Sequence, residues 1–372
     1  MRKIGITGRS GFIGWHLSSR ILLNNNFKII DFQKFFFDDE NKLDEFVKCC
    51  DIIIHLAGVN RHNDDDYILK TNISLSEKLV QSFIRTNFSG KLIFSSSIHE
   101  DKNSSFGISK RESTKIFLKW SQNYDGQFIN LIIPNVFGPF GVPFYNSVIS
   151  TFCYQLNNNI SPEIINDSKL KLIYIDDLVD VILNYVSNVN KKNINDLIGH
   201  TNSFKVSTLL NYLIEFKNQY IENAMIPNLD NKFKQNLFNT FASYINLSDF
   251  YPRKYLNNSD ERGNFVEIMK LHSGGQVSFS STKPKIIRGN HFHTRKIERF
   301  SIIKGKALVQ LRKFGSNEIY EFKFSGDKPS FIDMPIWFTH NIKNIGKEDL
   351  LTVFWINEFY DSKNPDTFYE IV

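Results

Sequence analysis

A strand that runs directly into a glycine turn limits the fold of the first half of this chain more than any other feature. Residues 3–7 read Lys-Ile-Gly-Ile-Thr and are followed at once by Gly8-Arg9-Ser-Gly11-Phe12-Ile13-Gly14. The stretch to about Leu23 then places Phe12, Ile13, Leu17, Ile21 and Leu22 on one helical face. Glycines at a strand-to-helix junction let backbone amides approach a pyrophosphate, and the helix N-terminus favours its charge. The spacing alone is weak evidence, but directly after a first strand it reads as a dinucleotide site. Buried strands recur at Asp51-Ile-Ile-Ile-His-Leu56-Ala57-Gly58, at Lys91–Ser97 and at Phe128–Asn135, with helical patterns near 72–87 and 106–121. Strands alternating with helices predict an α/β, Rossmann-type, doubly wound parallel sheet. Arg9 and Lys34 could meet a 2′-phosphate and favour NADP, whereas Asp31 could bind ribose hydroxyls and favour NAD. NADP is the expected cofactor, with NAD as the alternative.

The second half carries a different chemistry. His291, His293 and Glu298 are spaced H-x-H-x4-E, with Gly305 beyond them, and His340 lies in Pro335-Ile-Trp-Phe-Thr-His340-Asn. Along a strand His291 and His293 project to one face, so Glu298 and His340 must come from neighbouring strands. Three imidazoles and a carboxylate satisfy a borderline divalent cation, and zinc is the expected metal. A single H-x-H is most often chance. Two separated blocks, each with the right residue in a β-forming segment, argue for a metal site in the mouth of a small antiparallel barrel.

Composition removes several classes. A chain of 372 residues is long for one domain, so two are expected. The net charge of +6 comes without a basic block or basic-aromatic repeat, so no nucleic-acid partner is expected. Cys49, Cys50 and Cys153 support no disulfide framework, which fits a reducing cytoplasm. Met1 leads straight into the first strand without an apolar leader, and no run approaches membrane-spanning length, so no membrane partner is expected.

Taken together, the T-G-x-x-G-x-x-G turn, His-Leu-Ala-Gly58, Ser95-Ser-Ser97 and a lysine at 110 resemble the extended short-chain dehydrogenases/reductases over roughly residues 1–240. That resemblance implies that Gly8, Arg9, Gly11, Phe12, Ile13, Gly14, Leu56, Ala57 and Gly58 line the cofactor. It implies that Ser97, or Ser96, polarises a substrate carbonyl and that Lys110 holds the nicotinamide ribose. Asn135 and Tyr145 are placed in the substrate region on the same ground. One position departs: the family's Tyr-x-x-x-Lys reads Phe106-Gly-Ile-Ser-Lys110. Phenylalanine has no hydroxyl, so the usual proton donor is missing. His99, Ser105 and a bound water are the replacements to consider.

The two histidine blocks resemble the two cupin motifs, except that Trp337 stands where the second usually has glycine; this implies an all-β jelly roll. Asp260-Glu-Arg262-Gly-Asn-Phe-Val-Glu267 and Arg288-Gly-Asn-His291 resemble cupins that epimerise nucleotide-linked 4-keto-6-deoxyhexoses. In that pattern Arg262 and Glu267 meet the substrate and His291 is the base, which conflicts with its place in the metal set. An extended reductase over 1–245 followed by a metal cupin over 246–372 resembles the bifunctional capsule and O-antigen enzymes. Members of that family are dimers, and the family implies a substrate of UDP-linked 4-keto-6-deoxy-N-acetylhexosamine. The expectation is C3 epimerisation in the cupin and NADPH-dependent C4 reduction in the first domain. The alternatives are epimerisation alone, with a cofactor-binding but reductase-deficient first domain, and a non-catalytic sugar-nucleotide sensor.

Overall fold

A computed structural model of the chain describes residues 1–23, 26–188, 192–255, 257–260, 263–266, 268–269, 271 and 274–372. Arg262 and Glu267 lie outside the described residues. The chain forms two compact units, one of Met1–Val148 with Asp167–Val206, the other of Ile149–Asn166 with Ser207–Val372. Residues 207–245, like Ile149–Asn166, pack with the unit that carries the later strands.

In the first unit β1 (Arg2–Thr7), β2 (Phe27–Ile30), β3 (Ile52–His55), β4 (Lys91–Ser97) and β5 (Gln127–Ile133) are joined by α1 (Phe12–Leu22), α2 (Glu40–Lys48), α3 (Asp65–Thr86) and α4 (Ser105–Asn123). The sheet order is β2-β1-β3-β4-β5 followed by Asn193–Leu197, and every pairing is parallel. Parallel strands covered on both faces need unbroken apolar runs. Ile4, Ile6, Ile53, Ile54, Leu92 and Ile93 supply them and are essentially inaccessible. On one side, Phe83, Phe94, Phe117, Trp120 and Phe128 form a shared aromatic core, each ring contributing about 1.5–3 kcal/mol by burial. The α3–α4 interface is pinned by buried polar pairs. Ser76 Oγ donates to Ser113 Oγ at 2.8 Å and Asn72 Nδ2 to Ser109 Oγ at 3.0 Å. Asn72 also accepts from the Val59 amide at 2.7 Å, which fixes the turn leaving β3.

The order reverses at β1, whose neighbours are β2 and β3, and this is the switch point where open α/β sheets bind ligands. The Rossmann-type expectation holds. The sequence did not reveal a small side sheet of Asn135–Phe137, Lys169–Tyr174 and Asn202–Lys205.

The second unit is built on two five-stranded antiparallel sheets. One runs Arg253–Lys254, Ser330–Met334, Glu298–Lys304, Leu350–Ile356 and Gln276–Thr282; the other runs Ile319–Ser325, Lys306–Lys313, Phe338–Asn344, Ile287–Phe292 and Phe368–Tyr369. This is the expected all-β, cupin-like domain. Side chains alternate across the Glu298–Lys304 strand. Glu298 and Phe300 turn toward His340, with the Phe300 and His340 rings edge to face at 5.9 Å. Arg299 lies on the other face, paired with Asp333 at 2.7 and 2.9 Å. Tyr220 also donates to Asp333, and Arg299 donates to the Ala224 carbonyl at 2.9 Å. The helical residues 207–250 are fastened to the barrel by this buried network.

Candidate active sites

The nucleotide site begins with backbone geometry. Gly8 has φ +77, and a Cβ there would come within 2.7 Å of the Ala57 amide nitrogen. At Gly14 a Cβ would collide with the Gly8 carbonyl oxygen. The turn from β1 and the turn from β3 can therefore touch only through glycine. The Gly11 amide closes the first turn on the Gly8 carbonyl at 3.0 Å, and Gly11 caps α1 without a side-chain hydrogen bond. The first amides of α1 thus remain for an anion. Arg9, Phe12 and Ile13 are half-buried around this turn. Leu56, Ala57 and Gly58 face it from the end of β3, where the Leu56 amide donates to the Thr7 carbonyl at 3.1 Å. Asp31 is exposed just beyond β2, its carboxylate accepting from Gln33 Nε2 at 2.9 Å.

The residues expected to serve reduction gather at the end of β4. Ser97 Oγ accepts from the His99 amide at 3.2 Å, and Ser96 Oγ donates to the Glu100 carboxylate. Lys110, buried inside α4, donates from Nζ to the Ser95 carbonyl at 2.7 Å. Burial lowers its pKa from 10.5 to about 8, against an opposing pull from Glu100. Its ammonium lies 4.7 Å from the Phe94 ring centroid and 5.5 Å from that of Phe106. Phe106 thus stands next to the lysine in the first turn of α4, with an apolar ring in place of a hydroxyl.

His99 is half-buried, and burial is the main reason its pKa is lowered, with Lys102 adding to this and a hydrogen bond to Asn135 opposing it. The sequence did not reveal this His99–Asn135 contact. Tyr145 Oη accepts from the Asn60 amide at 3.3 Å. Arg61 donates to the carbonyls of Phe144 and Tyr145 at 3.2 Å each. Asn135 and Tyr145 therefore both border elements that carry expected site residues.

In the second unit His291, His293, Glu298 and His340 come together, each offering one ligand atom, and these atoms lie within 4.8 Å of one another. A β-bulge in Arg288-Gly289-Asn290-His291 makes this possible. Gly289 and Asn290 both have positive φ, +97 and +58, and the shift sets His291 directly opposite His340. Each imidazole is tied to backbone through one nitrogen: His293 Nδ1 to the Asp366 carbonyl, His340 Nδ1 to the Phe338 carbonyl at 3.1 Å, and His291 to Gly289. A carbonyl can only accept, so Nδ1 of His293 and of His340 carries a proton, and in the neutral ring Nε2 is then the acceptor.

Those two Nε2 atoms are buried without a hydrogen-bond partner and lie 3.3 and 3.2 Å from Glu298 Oε2, which is also unpartnered. Three converging acceptors in a buried space call for a cation between them. The spacing suits one, since tetrahedral bonds of about 2.0–2.1 Å set ligand atoms roughly 3.3 Å apart. The titration directions show the same demand for positive charge between these groups, which a proton on His293 or a bound cation would meet. Burial alone would raise Glu298, yet His293 and His340 hold it well below the usual carboxylate range. Burial likewise opposes a charge on His293, yet Glu298 raises its pKa overall. Burial, then His340 and His293, push His291 down to about 4. His291 is also the one member of the set that is only half-buried.

Trp337, the departure from the second motif, has φ +62, a left-handed conformation that glycine adopts without strain. Its indole is buried, stacked on Phe292 at 5.6 Å, and its amide donates to the His293 carbonyl at 2.7 Å. Packing holds the tryptophan in the backbone shape that glycine would have supplied.

Comparison with known proteins agrees with both halves. The NAD dependent epimerase/dehydratase family matches residues 4–198, and the polysaccharide biosynthesis C-terminal domain matches residues 258–368. The chain is 29% identical over 367 residues to a UDP-2-acetamido-2,6-beta-L-arabino-hexul-4-ose reductase of Pseudomonas aeruginosa, covering 98% of each protein. It is 30% identical to the capsular polysaccharide assembling protein CapF of Staphylococcus aureus, with full coverage of both chains and a TM-score of 0.64. A likeness in fold alone extends to RMD of Pseudomonas aeruginosa, solved with NADPH, at 17% identity over 59% of this chain and 83% of that one, with a TM-score of 0.53.

Proposed function

The chain belongs to the NAD dependent epimerase/dehydratase family, and from that premise we propose a bifunctional enzyme acting on UDP-2-acetamido-2,6-dideoxy-4-hexulose. Residues 246–372 would epimerise C3, and residues 1–245 would reduce the C4 ketone with NADPH, yielding a precursor of UDP-N-acetyl-L-fucosamine for capsule or O-antigen. The observation that carries this reading is the coexistence in one chain of a glycine-turn nucleotide site and a buried three-histidine, one-glutamate cluster. The full-length likeness to a UDP-hexulose reductase supports the substrate class. NADPH is preferred to NADH because Arg9 sits in the glycine turn while Asp31 is already bonded to Gln33. A homodimer is proposed from the family resemblance.

The two reactions suit the two sites. Epimerisation removes the proton on C3, beside the C4 carbonyl, and returns one on the opposite face. A divalent cation held by His291, His293, Glu298 and His340 would polarise that carbonyl and stabilise the charge left on its oxygen. His291, at the open edge of the cluster, is assigned to the ligand set. Reduction adds hydride from NADPH to C4 and a proton to its oxygen. Ser97 is assigned to polarise the ketone, and Lys110 to hold the ribose. Asn135 and Tyr145, with Arg262 and Glu267, are assigned to the sugar nucleotide.

A second reading is favoured by one specific observation, the Phe106 ring beside Lys110, and gives this protein epimerisation only. The test mixes purified protein, NADPH and the UDP-4-ketosugar, and follows NADPH absorbance together with sugar NMR. NADPH oxidation matched by a C4 alcohol supports both activities. Isomer exchange without oxidation leaves the epimerase alone, and neither change sinks both readings.

A further inference from the structure

The loop between two members of the metal set is held by a residue far away in the chain. Asp366 is buried, and its carboxylate accepts from the backbone amides of Thr294, Arg295 and Lys296 at 2.9–3.2 Å and from Thr294 Oγ1 at 2.6 Å. Arg295 Nη1 approaches it at 3.7 Å. Successive amides converging on a carboxylate form an anion nest. Here the nest is the stretch that joins His293 to Glu298, so the carboxylate fixes how these two side chains face each other.

The same residue acts on His293 a second time. Its carbonyl, at a backbone φ of +44, accepts from His293 Nδ1. Just beyond it, Phe368–Tyr369 pairs with the strand of His291, and the Glu370 amide donates to the Asn290 carbonyl at 2.9 Å. This C-terminal strap therefore touches the backbone or ring of both histidines in the H-x-H pair.

We propose that Asp366 is the positioning residue of the metal centre: while its backbone carbonyl holds His293 Nδ1, its carboxylate shapes the 294–296 turn so that Nε2 of His293 and Oε2 of Glu298 converge on one cation. This rests on the metal reading above. Outer partners of a metal-bound histidine typically govern about 10–100-fold in metal affinity.

The test titrates metal-stripped full-length protein with Co²⁺ and with Zn²⁺ against a competing chelator, for the natural chain, Asp366→Ala, Asp366→Asn and Thr294→Val. The expected result is affinity weakened about 10–100-fold in Asp366→Ala, with a shifted Co²⁺ visible spectrum, and partial recovery of both in Asp366→Asn. A purely structural role would lower the apo melting temperature without moving the Co²⁺ spectrum. If Asp366→Ala fails to fold, Thr294→Val, which removes one donor to the carboxylate, is expected to weaken affinity to a smaller degree. Variants with the affinity and spectrum of the natural chain overturn the assignment of Asp366 while leaving the metal site intact. A natural chain that binds neither ion overturns both.

Discussion

At position 106 a phenyl ring lies 5.5 Å from a buried ammonium, where the family pattern has a phenol. Restoring the hydroxyl with Phe106→Tyr is expected to raise the rate of NADPH-dependent reduction by about 10²–10⁴-fold. Turnover no faster than in the natural chain would show that the position has lost its acid role.

The lysine itself has a pH signature. Its folded pKa of about 8 lies below the ordinary 10.5, so between those values the folded chain binds fewer protons than the unfolded one. The cost of burying the charged lysine is therefore full below pH 8 and fades as pH rises toward 10.5. The stability of Lys110→Met minus that of the natural chain should fall across this window, by on the order of 3 kcal/mol. Denaturant melts at both ends check it, and a difference constant with pH contradicts it.

Trp337 offers a third test at this scale. Changing it to glycine relieves a left-handed conformation worth about 1–3 kcal/mol, but empties a buried site worth about 3–5 kcal/mol. Trp337→Gly should lower stability by roughly 2 kcal/mol, measured by denaturant midpoint, and a more stable variant would refute the packing account.

Elements show where the sequence could be read and where it could not. β4 occupies Lys91–Ser97 as expected, because a short apolar run ending in small polar residues has few other solutions. The glycine turn was legible for the same reason: Gly8 and Gly14 fill positions where any Cβ would strike backbone. The four residues of the three-histidine, one-glutamate cluster were legible as types and spacing.

Their assembly was not. The bulge that sets His291 opposite His340 depends on Asn290 accepting a positive φ, which its identity permits but does not require. Nothing in the sequence near Asp366 marks it, since its donors lie in a turn far upstream. Residues 207–245 read as a continuation of the first half. What ties them to the barrel is the bonding of Tyr220 and the Ala224 carbonyl to an Arg299–Asp333 pair whose burial appears only in three dimensions. Breaking that pair by Asp333→Asn leaves a buried guanidinium under-compensated and should cost about 3–5 kcal/mol; a loss below 1 kcal/mol would mean the helices are held by apolar contact alone.

The whole molecule holds a glycine-turn strand-helix junction in one compact unit and the three-histidine, one-glutamate cluster in the other. Among the described residues no helix is long and apolar enough to cross a membrane. Removing metal should therefore affect the activities unequally. Chelation should lower the melting temperature of the β-rich unit, since an ion bound only by the folded state stabilises it by mass action, and NADPH affinity should stay within about twofold. Loss of NADPH binding on chelation would argue against separate sites.

The central claim is that the His291, His293, Glu298 and His340 cluster holds the cation that assists proton exchange at C3. Incubating metal-loaded protein with the UDP-4-ketosugar in deuterated water, without NADPH, and following C3 by NMR tests it most directly. Deuterium is expected at C3, lost on chelation and recovered on adding the metal back. No incorporation, or incorporation unchanged after the metal is removed, would contradict it.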